Sequence, residues 1–127
     1  MLGIKCRWDG RDKRNKKVID LLSKEALIPI CPEELGGLST PREPAHREGK
    51  KVLTRSGKNV TENFVKGAGM VLAIAQNLNI KEAILKQKSP SCGCGKIYHG
   101  RKVIKGDGTT TELLKKYKIK VITEEDL

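Results

Sequence analysis

The chain has 127 residues, 37% of them apolar, and its 26 Lys and Arg against 15 Asp and Glu leave a formal net charge of +11. With the thirteen glycines added, the apolar share is that of an ordinary globular domain, which excludes a disordered chain, and the length suits one core rather than two. No apolar run approaches the roughly 18 residues of a membrane span, and the stretch Met1 to Lys5 is too short for the apolar region of a signal peptide, so a soluble cytoplasmic protein is expected.

From Asn15, Val18, Ile19, Leu21 and Leu22 recur at helical spacing among lysines, which predicts a helix to about Glu25. Ala26 to Ile30 is a short apolar run that ends at Cys31 and reads as a strand. Pro32 to Lys50 contains three prolines and Gly36-Gly37 with no apolar period, which predicts a long loop. Lys51 to Thr54 reads as a brief strand, followed by a turn at Ser56 to Asn59. Thr61 is expected to cap a helix with Phe64, Ala68, Val71, Ile74 and Leu78 on one face. Gly67 and Gly69 each cost that helix up to about 1 kcal/mol relative to Ala, which suggests a close-packed neighbour.

Ala83 to Leu85 reads as a second buried strand that runs into Ser89-Pro90-Ser91-Cys92-Gly93-Cys94, so chemistry is expected at its end. Thr109 and Glu112 have the spacing of a capping box for a helix to about Tyr117. Ile119 to Ile122 is expected as a closing strand, with Glu124 to Asp126 an exposed tail. The alternation predicts an α/β domain of three layers spanning 1–127, Rossmann-like, with a mostly parallel sheet flanked by helices. The first ten residues are loop-like where such a unit normally opens on a strand, so a strand is expected to be missing ahead of Met1.

All four cysteines, Cys6, Cys31, Cys92 and Cys94, sit in loops marked by Gly or Pro, which favours metal or redox chemistry over packing. Their spacing lacks the paired Cys-x-x-Cys of zinc modules, and His46 and His99 supply no regular partner. Thiolates contributed singly by loops at one sheet edge suit an iron–sulfur cluster better. A nucleophilic thiol at Cys31 or Cys92 is the third option.

The segments Leu2-Gly3-Ile4-Lys5-Cys6-Arg7-Trp8-Asp9-Gly10, Cys31-Pro32-Glu33 with Gly36-Gly37-Leu38 and Pro41-Arg42, Thr61 to Ala68, and Ser89-Pro90-Ser91-Cys92-Gly93 resemble the family that includes 2-thiouracil desulfurase. The resemblance covers nearly the whole chain. It implies a 4Fe-4S cluster held by three cysteines, with one open iron that takes the sulfur of a thiocarbonyl substrate such as a thiolated base or nucleoside, without net redox change. Position by position it implies Cys31 and Cys92 as ligands, Glu33 as the proton-moving carboxylate, and Ser89 as a residue that orients substrate or relays a proton. The third family ligand is expected just before the Leu2-Gly3 motif, and the chain starts with Met1 where the residue after that cysteine would be; a start placed too far downstream is the preferred explanation. Cys6 is then the substitute ligand, with Cys94 a spare. The rival reading is a basic RNA-binding or tRNA-thiolation-related protein whose cysteine site is degenerate or holds zinc. The charge favours it, but only four aromatic residues are available for base stacking.

Overall fold

The computed structural model describes residues 1–127. A first loop, residues 1–14, leads to α1 (Lys16–Asp20), whose N-terminus is capped as Asn15 accepts a hydrogen bond from the Val18 amide at 3.2 Å. The helix is shorter than its periodicity predicts: it tightens into a 3₁₀ turn at Leu21–Ser23 and stops. Ala26 to Ile30 is not a strand of a sheet. None of its backbone groups hydrogen-bonds to another part of the chain, so the run is extended but unpaired.

Cys31 caps α2 (Pro32–Leu35), with Pro32 at the first position, where its missing N–H costs nothing. The expected long loop therefore holds one helical turn, and β1 (Ala45–Glu48) as well, paired antiparallel with β2 (Lys51–Thr54). Four-residue elements are too short for a period to register.

Helix α3 (Thr61–Asn77) is the spine. Phe64, Gly67, Ala68, Val71, Leu72 and Ala75 are buried, while Leu78 lies past the last turn and is exposed. Thr61 is the first helical residue rather than the cap, because its hydroxyl accepts the Val52 amide of β2 at 2.9 Å. The close neighbour anticipated at Gly67 is α2: a Cβ there would sit 1.9 Å from the Pro32 carbonyl oxygen. Gly69 has open space around it.

Strand β3 (Glu82–Leu85) pairs in parallel with β6 (Lys120–Thr123), and helices α3 and α4 (Thr109–Lys116) pack together beside this pair. Between them the chain makes a second antiparallel hairpin, β4 (Lys96–His99) with β5 (Lys102–Lys105), which the basic composition of that stretch concealed. The molecule is thus α/β, with a parallel pair at its centre and two antiparallel hairpins added. Val71, Leu72, Ala75, Leu85, Cys92, Leu114 and Ile119 form the larger core, and Val52, Val60 and Phe64 a smaller one under the first hairpin.

Two further expectations change. Gly108 caps α4, no capping box forms at Thr109, and Glu112 turns instead to Arg47 and Lys50, each at 2.5 Å. Glu124 is buried rather than part of an exposed tail; it accepts the Gln87 amide at 2.8 Å and pairs with Lys86. An apolar groove of about 580 Å³ runs between Ala26–Ile30 and the edge of β3 that has no partner strand, with Met1 and Leu2 on its wall.

Candidate active site

Three loops carry the candidate thiols. Cys31 ends the extended run at the mouth of α2, where Leu35 donates to its carbonyl at 3.0 Å. Cys6 comes from the first loop; its carbonyl accepts the Cys31 thiol at 3.8 Å and the Arg42 guanidinium at 2.9 Å. The two sulfurs and a Glu34 carboxylate oxygen lie within 4.8 Å of one another. Cys92 approaches from the turn after β3, close enough for the charges of Cys31 and Glu33 to act on it.

That turn is tightly specified. The Ser89 hydroxyl accepts the amides of Ser91 and Cys92, each at 3.1 Å, and Gly93 donates to the Ser89 carbonyl at 2.8 Å. Helix α4 clamps it from behind: Thr110 and Ser91 share a hydroxyl bond of 2.9 Å, and Thr111 donates to the Cys92 carbonyl at 2.7 Å. Gly108 has to be glycine, since a Cβ would lie 2.3 Å from the Ser91 carbonyl carbon. Ser89 therefore holds the turn that carries Cys92.

Glu33 sits in the first turn of α2, where the helix dipole favours a carboxylate. Arg42 fixes it with a 2.7 Å ion pair while also donating to Thr40 at 2.8 Å and to the Ser39 carbonyl at 3.2 Å. One guanidinium thus ties α2, the loop after it and the Cys6 loop into one unit. Arg42 was legible only as part of a motif. Nothing in a lone loop arginine signals burial, which tertiary contacts decide. Glu34, Thr110 and Thr111 carried no signal either, because their partners lie far away in sequence.

Burial pushes the Cys92 thiol up to about 12, and the neighbouring Glu33 carboxylate pushes in the same direction. Cys6 is raised to about 11, by burial first and then by Cys31. Such thiols stay protonated at neutral pH unless a cation draws them out as thiolates. Thiolates are the soft donors that an iron–sulfur group requires, and Cys92 is buried while Cys6 and Cys31 are half-buried, so Cys6, Cys31 and Cys92 fit one on donor chemistry. Cys94 does not join them. Its amide and carbonyl are held by the Gln87 side chain at 2.8 and 3.0 Å.

Beside the Glu33–Arg42 pair lies a cavity of about 180 Å³, lined by Glu33, Ser39, Arg42, Thr54, Lys58 and Phe64 among others. A cavity of roughly 150 Å³ admits a benzene ring, so this one has room for a single six-membered ring. Glu33 therefore lines the cavity, and its charge also acts on Cys92.

Comparison with known proteins places this arrangement in context. A family model described as 2-thiouracil desulfurase matches residues 1–126. The uncharacterized protein YbbK of Bacillus subtilis (strain 168) is 42% identical over 138 aligned positions, covering 98% of this chain and 91% of YbbK. The solved structure of the [4Fe-4S]-dependent thiouracil desulfidase TudS superposes with a TM-score of 0.92 at 41% identity, covering 99% of this chain and 87% of TudS.

Proposed function

The chain belongs to the 2-thiouracil desulfurase family, and from that premise we propose that it removes sulfur from a thiocarbonyl compound of the thiouracil class. The overall change would be hydrolysis of C=S by water to C=O and hydrogen sulfide, with no net redox step. The observation that carries this reading is the position of Glu33, on the wall of a cavity of ring size and near enough to Cys92 for its charge to act on that thiol, with the Cys6 and Cys31 sulfurs within 4.8 Å of each other.

Cys6, Cys31 and Cys92 would hold a 4Fe-4S cluster, the cofactor on which TudS depends. When bound, that group would supply a Lewis-acidic iron to accept the departing sulfur. The remaining steps fall to the chain itself. The cavity beside Phe64 takes the base, and the side chains of Ser39, Thr54 and Lys58 on its wall offer polar contacts to a pyrimidine edge. Arg42 aims the Glu33 carboxylate, which takes a proton from water as the water attacks the thiocarbonyl carbon and returns it to the leaving sulfur. Ser89 contributes by fixing the turn that presents Cys92.

The test is sulfide release from 2-thiouracil by the anaerobically prepared protein. Glu33→Gln should keep its iron and lose about 10²–10⁴-fold in turnover, the usual worth of a positioned proton carrier. Undiminished turnover in that variant would remove Glu33 from the chemistry. Activity confined to thiolated RNA, with none on free bases or nucleosides, would transfer the reading to a nucleic-acid substrate.

A further inference from the structure

Away from the thiols, the two histidines of the chain meet. His46 and Glu48 are two residues apart on β1, so the two-residue period of a strand puts both on one face. Strand β4 lies against β1, and its last residue, His99, reaches the same place. His46 Nε2 is 3.0 Å from Glu48 Oε1, and His99 Nε2 is 3.7 Å from that same oxygen. The imidazole rings stand edge to face with centroids 4.6 Å apart, and one donor atom from each of the three residues lies within 4.8 Å of the other two.

Zinc takes nitrogen and oxygen ligands at about 2.0–2.2 Å, which sets the donors of a tetrahedral site about 3.4 Å apart. The separations at Glu48 bracket that spacing. Two imidazoles with one carboxylate suit a first-row divalent ion, whereas calcium and magnesium prefer oxygen alone. All three side chains are partly exposed, so an ion can enter and water can take a fourth position.

We propose that His46, Glu48 and His99 form a zinc-class divalent metal site that ties the β1–β2 hairpin to the β4–β5 hairpin. The need for such a tie is visible in β5, every residue of which is exposed. A hairpin with so little buried surface is marginal alone, and an ion bound only by the folded form would stabilise it. The site shares no residue with the thiol centre and stands independently of the desulfurase reading.

Cobalt(II) titration of the full-length chain, prepared anaerobically, tests this, because thiolate ligation adds intense near-ultraviolet bands that nitrogen and oxygen ligation lacks. Four forms are compared: the unaltered chain, His46→Gln, His99→Gln, and a Cys6→Ser/Cys31→Ser double variant, with circular dichroism confirming that each is folded. The cysteine variant should bind one ion with visible bands but no intense near-ultraviolet bands, displaced by zinc, and the unaltered chain should bind that ion beside any held by thiolates. Each histidine variant should lose about tenfold or more in affinity. Zinc should raise the melting temperature of the unaltered chain by more than that of His99→Gln. Uptake through thiolates alone, equal affinity in the histidine variants, or no binding at millimolar metal would overturn the proposal.

Discussion

A single guanidinium organises the candidate active site, because Arg42 contacts four groups, on α2, in the Cys6 loop and at Ser39 and Thr40 of its own loop. Its side chain and that of Glu33 are only 9% and 16% exposed, so solvent screens their pairing weakly. A lysine would keep the charge but cannot reproduce the planar fork that reaches Glu33, Thr40 and the Cys6 carbonyl together. Arg42→Lys is therefore expected to lose about 1.5–3 kcal/mol of stability, the worth of a hydrogen bond to a charged group, and to lower iron content in reconstitution. Urea unfolding with iron analysis reads both, and unchanged values would show that the tie is dispensable. The site was only partly legible in the sequence. Cys31, Glu33 and Cys92 stand in distinctive local motifs, and the structure brings them together. Arg42 acts through distance, and distance is what a linear pattern does not contain.

At the scale of elements, the contact between α2 and α3 is set by two glycines. A Cβ on Gly36 would lie 2.0 Å from the Asn63 carbonyl oxygen, and one on Gly67 would lie 1.9 Å from that of Pro32, so the two backbones touch directly. Gly67→Ala would gain up to about 1 kcal/mol in helix propensity. The clash is with backbone rather than a movable side chain, and overpacking typically costs about 1–3 kcal/mol, so the clash wins. Since α2 carries Glu33 and follows Cys31, Gly67→Ala is predicted to melt lower and to bind less iron. Gly69→Ala, with open space around it, should do neither. The long helix was the most legible element because five apolar positions repeat its period. The hairpins, α2 and the actual helix caps were less so. Their residues are chosen by partners far along the chain, as when Glu112 turns from a capping role to Arg47 and Lys50.

Over the whole molecule, the parallel pair β3–β6 is covered by helices, yet β3 keeps one edge without a partner beside a groove walled by Ala26 to Ile30. No helix is long and apolar enough to cross a membrane. The net charge of +11 still favours polyanions, and that attraction would weaken steeply with salt, whereas turnover of a neutral base would not. The central claim is that Cys6, Cys31 and Cys92 hold one iron–sulfur group. Its most direct test is iron and acid-labile sulfide per chain after anaerobic reconstitution, measured for the unaltered protein and for Cys92→Ala with circular dichroism as the check on folding. Iron and sulfide in equal amounts in the unaltered chain, with both lost from a folded Cys92→Ala, are predicted. An unaltered chain without either, or a variant that keeps both, would contradict the account.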